Sequence, residues 1–166
     1  CFDLVPQEIL LRLAEELGLA SRILRPLRAV FEGLVVWFKT AYGVGEAFRR
    51  TNGIVLGCPL SVVALNMLVM VWTVTVPTEI PGATGRACAD DIGATARGGD
   101  AASTIEHVAL VTKEYADVTG QELNVKKSAC FATSTALRRK MRDVSVGGHK
   151  LPIVLEAKDL GAHQSF

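Results

Sequence analysis

The sequence has almost no charge imbalance, and this scarcity excludes several classes of protein. Its 166 residues contain 18 Lys and Arg against 17 Asp and Glu, a formal net charge of +1 at pH 7. A free-standing nucleic-acid binder usually carries a strong basic excess, so any such contact has to come from local patches. Each patch is also compatible with a merely solvated face. The obvious patches are Arg49–Arg50, Lys126–Lys127 and Arg138–Arg139–Lys140 with Arg142.

Cysteines are equally sparse, and their spacing indicates the cellular setting. Cys1, Cys58, Cys88 and Cys130 are scattered and form no CxxC pair, and no signal peptide is present. This pattern is typical of reduced thiols in an intracellular protein, without deciding between cytoplasm and nucleus. The chain opens on Cys1 without an initiator Met, which indicates a fragment. Since 49% of the residues are apolar and 21% charged, we expect a compact domain with a real core.

Residues 51–78 contain no charge and are long enough to suggest a membrane span. The run is broken near its start by Gly57, Cys58 and Pro59, and Asn66 lies in its middle. No aromatic belt with a basic flank accompanies it. These features favour a helix over residues 60–76, apolar on all sides and buried at the centre of a small domain. A membrane-associated protein remains an alternative.

The hydrophobic pattern predicts a mixed fold. We expect helices at residues 6–17, 21–31, 60–76 and 100–118; Pro77 and Pro81-Gly82 end the third, and Gly120 ends the fourth. Strands are expected at residues 34–38, 46–50, 86–89, 92–96 and 125–133, followed by a helical turn at 136–141, a hairpin of 144–146 with 150–154, and a last strand at 160–163. This order predicts an α+β fold, an antiparallel sheet with helices packed on one face, close to the split βαβ (ferredoxin-like) plan.

Asp90 and Asp91 lie at the turn between two expected strands and are preceded by the small residues 87–89. Repulsion between adjacent carboxylates raises the cost of ionising both, and a divalent cation removes that cost. Hard oxygen ligands suit Mg²⁺, and two such ions about 4 Å apart can activate a hydroxyl and steady a leaving phosphate oxygen. Alone, the pair also fits an ordinary polar hairpin turn.

The surrounding segments strengthen the metal-site interpretation, because they resemble the ordered motifs of reverse transcriptases of the non-LTR retrotransposon type. Group II intron enzymes share much of the pattern. The segments are Phe2-Asp3-Leu4-Val5-Pro6 (tail of the A motif), Leu56-Gly57-Cys58-Pro59-Leu60-Ser61 (B motif), Cys88-Ala89-Asp90-Asp91 (C motif), Gly120 to Lys127 (D motif) and Lys158-Asp159-Leu160-Gly161.

The resemblance implies a polymerase palm that adds dNTPs to a DNA primer on an RNA template, with two Mg²⁺ ions (or Mn²⁺) and no membrane. Asp90 would be a metal ligand with Asp91 in support, and Lys127 would lie near the departing pyrophosphate. Lys127 is equally compatible with a surface lysine at a strand edge. Phe2 would be the steric gate against a ribose 2′-hydroxyl. The residues that would shape the backbone under nucleotide and template are Gly57, Pro59 and Ser61.

The chain also departs from the family pattern. The first metal-binding aspartate of the A motif would lie three residues before Cys1, so residues 1–166 are expected to be a palm fragment without fingers, that aspartate or thumb. Leu56 replaces the B-motif glutamine and Cys88 the C-motif aromatic residue. We therefore expect the isolated chain to be inactive. A degenerate, non-catalytic relic that acts as a structural or nucleic-acid-binding module is the alternative.

Overall fold

The computed structural model describes residues 3–55, 58–159 and 162–165. Five helices and eight short strands confirm the α+β class. In chain order the elements are α1 (Gln7–Glu16), α2 (Ser21–Gly33), β1 (Val35–Thr40), β2 (Gly43–Arg49), α3 (Pro59–Glu79), β3 (Ala83–Cys88), β4 (Asp91–Ala96), α4 (Ala101–Thr119), α5 (Thr135–Lys140), β5 (Ser145–Val146), β6 (His149–Lys150), β7 (Glu156–Asp159) and β8 (Ala162–Ser165).

The strands pair differently from the single antiparallel sheet that we expected. Across the described residues they form separate two-stranded antiparallel hairpins, β1–β2, β3–β4, β5–β6 and β7–β8. Isolated bridges, Pro6 to Asn52 and Cys130 to Ile153, add only local links between distant segments. The alternating pattern identifies a strand and its neighbour along the chain, but sheet growth depends on longer-range pairing that the pattern does not specify.

Helix α3 is the central element of the fold. Its first half contributes Leu65 and Leu68 to a core shared with α1 and α2, and its second half contributes Trp72 and Val76 to a core shared with β3 and α4. The expected end at Pro77 is wrong, because the helix continues to Glu79. A proline removes only one backbone donor, and in the last turn the buried side chain of Ile80 still holds the chain in place.

The expectation that α3 is buried all round is also only partly right. One face lies inside the cores, whereas Leu60, Val63, Met70 and Val74 on the opposite side are exposed. By length and composition, residues Leu60–Glu79 could cross a membrane, and 39% of that window is buried inside the protein. Core helices of soluble proteins pass the same test, so the finding favours neither setting.

The C-terminal part of the chain has its own core. Met141, Val144 and Val146 are buried there against Ala102 and Ala109 of α4. The strand expected at residues 125–133 is wrong: Val125–Lys127 forms a 3₁₀ turn, and only Cys130 makes a bridge. The Ser128 hydroxyl donates to the carbonyl of Asn124 (3.0 Å), a local bond that competes with a strand ladder.

The described cysteines are all free, in agreement with the expectation of reduced thiols. Cys88 is exposed, Cys58 is half-buried and Cys130 is buried. Burial raises the pKa of the Cys130 thiol, so this group stays protonated and behaves as a small apolar side chain.

The β3–β4 hairpin lies directly on α3 because one position lacks a side chain. A Cβ at Gly85 would lie 3.2 Å from Cζ3 of Trp72 and 3.4 Å from Cα of Thr73. Gly93 is on the opposite face of the same hairpin and has nothing within 4 Å. The close contact between helix and hairpin therefore depends on the absence of a Cβ at Gly85.

We expect Gly85→Val to destabilise the fold by about 1–3 kcal/mol, because the branched side chain has no room beside Trp72. Gly93→Val is the matched control, and it should leave the free energy of unfolding nearly unchanged. Urea unfolding of both variants measures the difference. Equal destabilisation would show that the hairpin does not rest on α3 at this point.

Tyr115 of α4 carries a buried hydroxyl with no hydrogen-bond partner in the described part of the chain. The nearby Thr119 hydroxyl donates instead to the Tyr115 main-chain carbonyl (2.6 Å). Burial raises the pKa of Tyr115 above its ordinary value. The Thr119 side chain offsets part of this rise in pKa, but no described group lies in hydrogen-bond geometry to the hydroxyl, so the bond to water lost on folding is not replaced.

Removing this hydroxyl should stabilise the protein. We expect Tyr115→Phe to raise the free energy of unfolding by about 1 kcal/mol, since an unsatisfied polar group leaves the core. Tyr42→Phe, at a fully exposed tyrosine, should change nothing. The midpoints of thermal unfolding of the two variants measure the change in stability. A destabilised Tyr115→Phe variant would show that the hydroxyl has a hydrogen-bond partner.

Candidate active site

The two candidate carboxylates lie at the tip of the β3–β4 hairpin. Cys88 pairs with Asp91, so Ala89 and Asp90 form a two-residue turn. Ala89 has φ of 52°, in the left-handed region that residues with a Cβ seldom occupy. Two-residue hairpin turns need positive φ at the first central position. The turn therefore holds Ala89 in a less favourable conformation to present Asp90 and Asp91 side by side.

The two faces of this hairpin have different surroundings. Gly85, Ile92 and Ala94 lie on the inner face, toward α3 and α4. The outer face carries Cys88 and Asp91, and both are exposed. Asp90 is exposed at the tip, whereas Ala89 packs against the first core. The carboxylates thus face solvent while the backbone that carries them is anchored from behind.

The fold brings the N-terminal segment to the loop that precedes α3. The amide of Gly53 donates to the carbonyl of Val5 (2.7 Å), and Nε2 of the buried Gln7 donates to the carbonyl of Gly53 (2.8 Å). Nη2 of Arg50 donates to Oδ1 of Asp3 at 2.8 Å. Segments that lie some 46 positions apart in the chain are therefore fixed to one another.

Parts of the C-like and D-like segments lie near the N-terminal segment as well. Val5 and Ile54 are buried in the first core, against which Ala89 of the carboxylate turn packs. Gly120 ends α4 with φ of 65°, and a Cβ there would lie 3.3 Å from Cγ of Pro6. The A-like segment, the loop before α3 and Ala89 of the C-like segment thus meet at the first core, whereas Leu123 of the D-like segment packs against the C-terminal core. The order of these segments in the sequence does not by itself require them to meet in the fold.

Ser61 is buried, and its hydroxyl donates to the carbonyl of Val55 (2.7 Å). Its amide donates to the carbonyl of Cys58 (3.0 Å). These bonds tie the first turn of α3 to Val55 and Cys58. Pro59 is the first residue of α3, where its fixed φ and missing donor are favourable.

Other predicted site residues are placed as follows. Phe2 and Gly57 lie outside the described residues. Lys127 ends the 3₁₀ turn that follows α4, is exposed, and makes no ion pair with any described residue. No described contact joins it to the Asp90–Asp91 turn, so its expected position near a leaving pyrophosphate stays a prediction.

The carboxylate turn fits a hard divalent cation only in part. Asp90 and Asp91 are exposed and take part in no ion pair with the described residues, so their oxygens are available as ligands. Mg²⁺ is often held by one or two carboxylates, with water and substrate phosphates completing the shell. Within residues 3–55, 58–159 and 162–165, no group of three or more His, Cys, Asp or Glu could hold a metal.

Arg86 is a residue that the motif comparison did not single out. It faces Gly93 on the outer face of the hairpin, two residues from Cys88 and exposed. The alternation of side chains along a strand, applied backward from Asp91 and Cys88, would have identified it. A cation therefore shares the face that presents the carboxylates.

Comparison with known proteins adds no family. No protein-family model matches the chain, and no curated protein is recognisably similar to it. The functional argument therefore depends on the motif segments and on where the fold places them.

The hydrogen bond from Ser61 gives a direct test of the loop before α3. We expect Ser61→Ala to lower the free energy of unfolding by about 1 kcal/mol, because the bond to Val55 is lost in a buried site. Ser103→Ala removes an exposed hydroxyl that donates to Asp100, and should cost less than about 0.5 kcal/mol. Urea unfolding measures both, and equal costs would contradict the structural role of Ser61.

Proposed function

We propose that the chain is the palm of an RNA-directed DNA polymerase, a reverse transcriptase of the retrotransposon type. The observation that carries the proposal is the pair Asp90–Asp91 on a two-residue turn, exposed at the tip of a hairpin whose other face rests on the helix that follows the B-like segment. An ordinary polar turn does not require the other motif segments to pack around the same core. Here the A-like segment and the loop before α3 meet the core against which Ala89 packs, which favours a shared site.

The reaction would be attack of a primer 3′-hydroxyl on the α-phosphate of a dNTP, with pyrophosphate leaving. When bound, Mg²⁺ ions would lower the pKa of the attacking hydroxyl and neutralise developing phosphate charge. Asp90 and Asp91 would hold the metal, and the anchored Ala89 would fix their positions. Catalysis of this kind is mostly positioning and electrostatic stabilisation, so the packing of Ala89 against the first core would serve it.

The residues around the turn would position the substrates. Ser61 would keep the loop before α3 in shape, and the Gln7–Gly53 bond would hold the N-terminal segment beside that loop. Phe2 would then select against ribose, and Lys127 would neutralise charge on the departing pyrophosphate. These roles follow from the resemblance, and the geometry on the page is compatible with those of Ser61 and Pro59.

The alternative is a relic that folds but does not catalyse. It is favoured by Cys88, which is exposed beside Asp91 where the family has an aromatic residue. A relic would have no need of the carboxylates, so their replacement distinguishes the two proposals.

We expect Asp90→Asn to reduce Mg²⁺-dependent dNTP incorporation on poly-rA/oligo-dT by roughly 100-fold or more, measured in a longer protein that contains this segment. Metal stabilisation contributes several kcal/mol, and each 1.4 kcal/mol is about tenfold in rate. Asp91→Asn should also reduce it, while Asp100→Asn, at an exposed aspartate before α4, should leave it unchanged.

The 166-residue chain by itself is expected to incorporate no dNTP. Incorporation by this chain would contradict that expectation. Undiminished incorporation by the Asp90→Asn protein would overturn the proposed function and favour a site elsewhere.

A further inference from the structure

The surface around α5 concentrates positive charge without matching negative charge. One cleft of about 430 Å³ beside the helix is lined by Thr135, Arg138, Arg139, Arg142, Leu151 and Ile153. A second cleft of about 930 Å³ on the other side includes Arg86, Arg97 and Lys140 among its lining residues. Among the described residues, no Asp or Glu lines either cleft. The whole chain has a net charge of only +1, so this local excess of cations is balanced by acidic residues elsewhere in the chain.

Local packing explains why these cations point outward. Ser134 caps α5 by accepting a hydrogen bond from the amide of Leu137 (3.2 Å). Leu137 and the buried Met141 attach the helix to the C-terminal core. Arg138 is half-buried and donates to the carbonyl of Ala132 (2.9 Å), which braces the helix against the preceding loop. The other cations of this segment, Arg139, Lys140 and Arg142, are exposed to solvent.

Asp143, the acidic residue that follows α5, is paired with Lys150. Nζ of Lys150 lies 2.6 Å from Oδ1 of Asp143, and this hydrogen bond holds the pKa of Asp143 below its ordinary value. Arg139, Lys140 and Arg142 are exposed and take part in no ion pair with the described residues. Like charges this close repel one another, so a polyanion in the clefts would relieve the repulsion.

We propose that α5 and its two flanking clefts bind the sugar–phosphate backbone of a nucleic-acid strand. A single small anion would fill only one cleft, whereas α5 spans about 9 Å between them. A nucleic-acid strand carries a charge about every 3.4 Å, so it can engage both sides of the helix. Arginine, which dominates the lining, matches phosphate oxygens in a two-pronged geometry.

The choice of a nucleic acid over an acidic protein rests on the proposed function. Thr84, Arg86 and Thr95 line the larger cleft and lie on the outer face of the β3–β4 hairpin. Asp91 is on that same face, where it pairs with Cys88. Arg86 precedes Cys88 by two residues, about 7 Å of strand. A strand held in the cleft would therefore run toward the carboxylate turn.

The test compares two triple variants with the same change in charge. Arg139→Gln, Lys140→Gln and Arg142→Gln together neutralise the α5 surface. Arg22→Gln, Arg25→Gln and Arg28→Gln neutralise three exposed arginines of α2, which line neither cleft. Fluorescence anisotropy with a labelled single-stranded 20-mer, in Mg²⁺-free buffer at several salt concentrations, measures binding by the 166-residue chain.

We expect the α5 variant to bind roughly tenfold or more weakly at low salt, with the slope of log K against log salt reduced by about 2, since each lost phosphate contact removes about 0.7. The α2 variant should stay within about twofold of the parent. A double variant, Arg139→Lys with Arg142→Lys, keeps the positive charge and should retain binding; loss of binding in it would contradict a charge-based contact.

Other outcomes would overturn the inference. These are equal losses in both triple variants, no binding by the parent chain, or displacement of the oligonucleotide by polyglutamate or millimolar inorganic phosphate as effectively as by unlabelled strand. If a longer protein that contains this segment incorporates no dNTP while charge-dependent binding remains, the polymerase proposal fails and the binding surface stands. If incorporation depends on Asp90 but the α5 variant binds like the parent, the binding surface fails and the polymerase proposal stands.

Discussion

The buried indole of Trp72 is the contact on which the rest of the structure depends. Its ring lies against Gly85 of the β3–β4 hairpin, and its Nε1 donates to the hydroxyl of Thr112 on α4 (3.0 Å). That hydroxyl in turn donates to the carbonyl of Val108, so the indole Nε1 and the Thr112 hydroxyl are both hydrogen-bonded at this junction. One side chain thus fixes α3, the hairpin and α4 in a single arrangement. Because the hairpins share no continuous sheet, this arrangement replaces the cross-strand ladder that would otherwise hold β3 and β4 in place.

The position of the carboxylate turn follows from this junction. With the inner face of the hairpin held on α3, the alternation of side chains forces Cys88 and Asp91 outward. Ala89, in its left-handed conformation, closes the turn and contacts the first core, where α1, the N-terminal segment and the loop before α3 also meet. Small residues at these positions let three segments approach one hairpin. The site is therefore positioned by packing at its back, and its polar front is left free for ligands.

Much of this could be predicted from the sequence, but only where the determinants were local. Periodicity, Gly120 at a helix end and the paired aspartates identified α4, the hairpin and its turn. Partners across long separations, such as Gln7 with Gly53, could not be predicted, because a single sequence does not record which distant segments pack together. Residues 125–133 were predicted as a strand since apolar alternation cannot register the competing bond from Ser128 to Asn124. Arg86 was missed because strand register, rather than motif spacing, places it on the face of Asp91.

The separation of charge along the hairpin is consistent with one polyanionic substrate. Carboxylates at the tip repel phosphates unless a cation intervenes, whereas the guanidinium groups of Arg86 and Arg97 attract phosphates without any metal. If the two kinds of group were adjacent they would pair with each other, and neither would be available. Their described positions show no such ion pair, and Lys150 removes Asp143 from competition near α5. In a chain whose total charge nearly cancels, this arrangement is compatible with the proposed nucleic-acid backbone beside the arginines and the proposed divalent cation at the carboxylate turn.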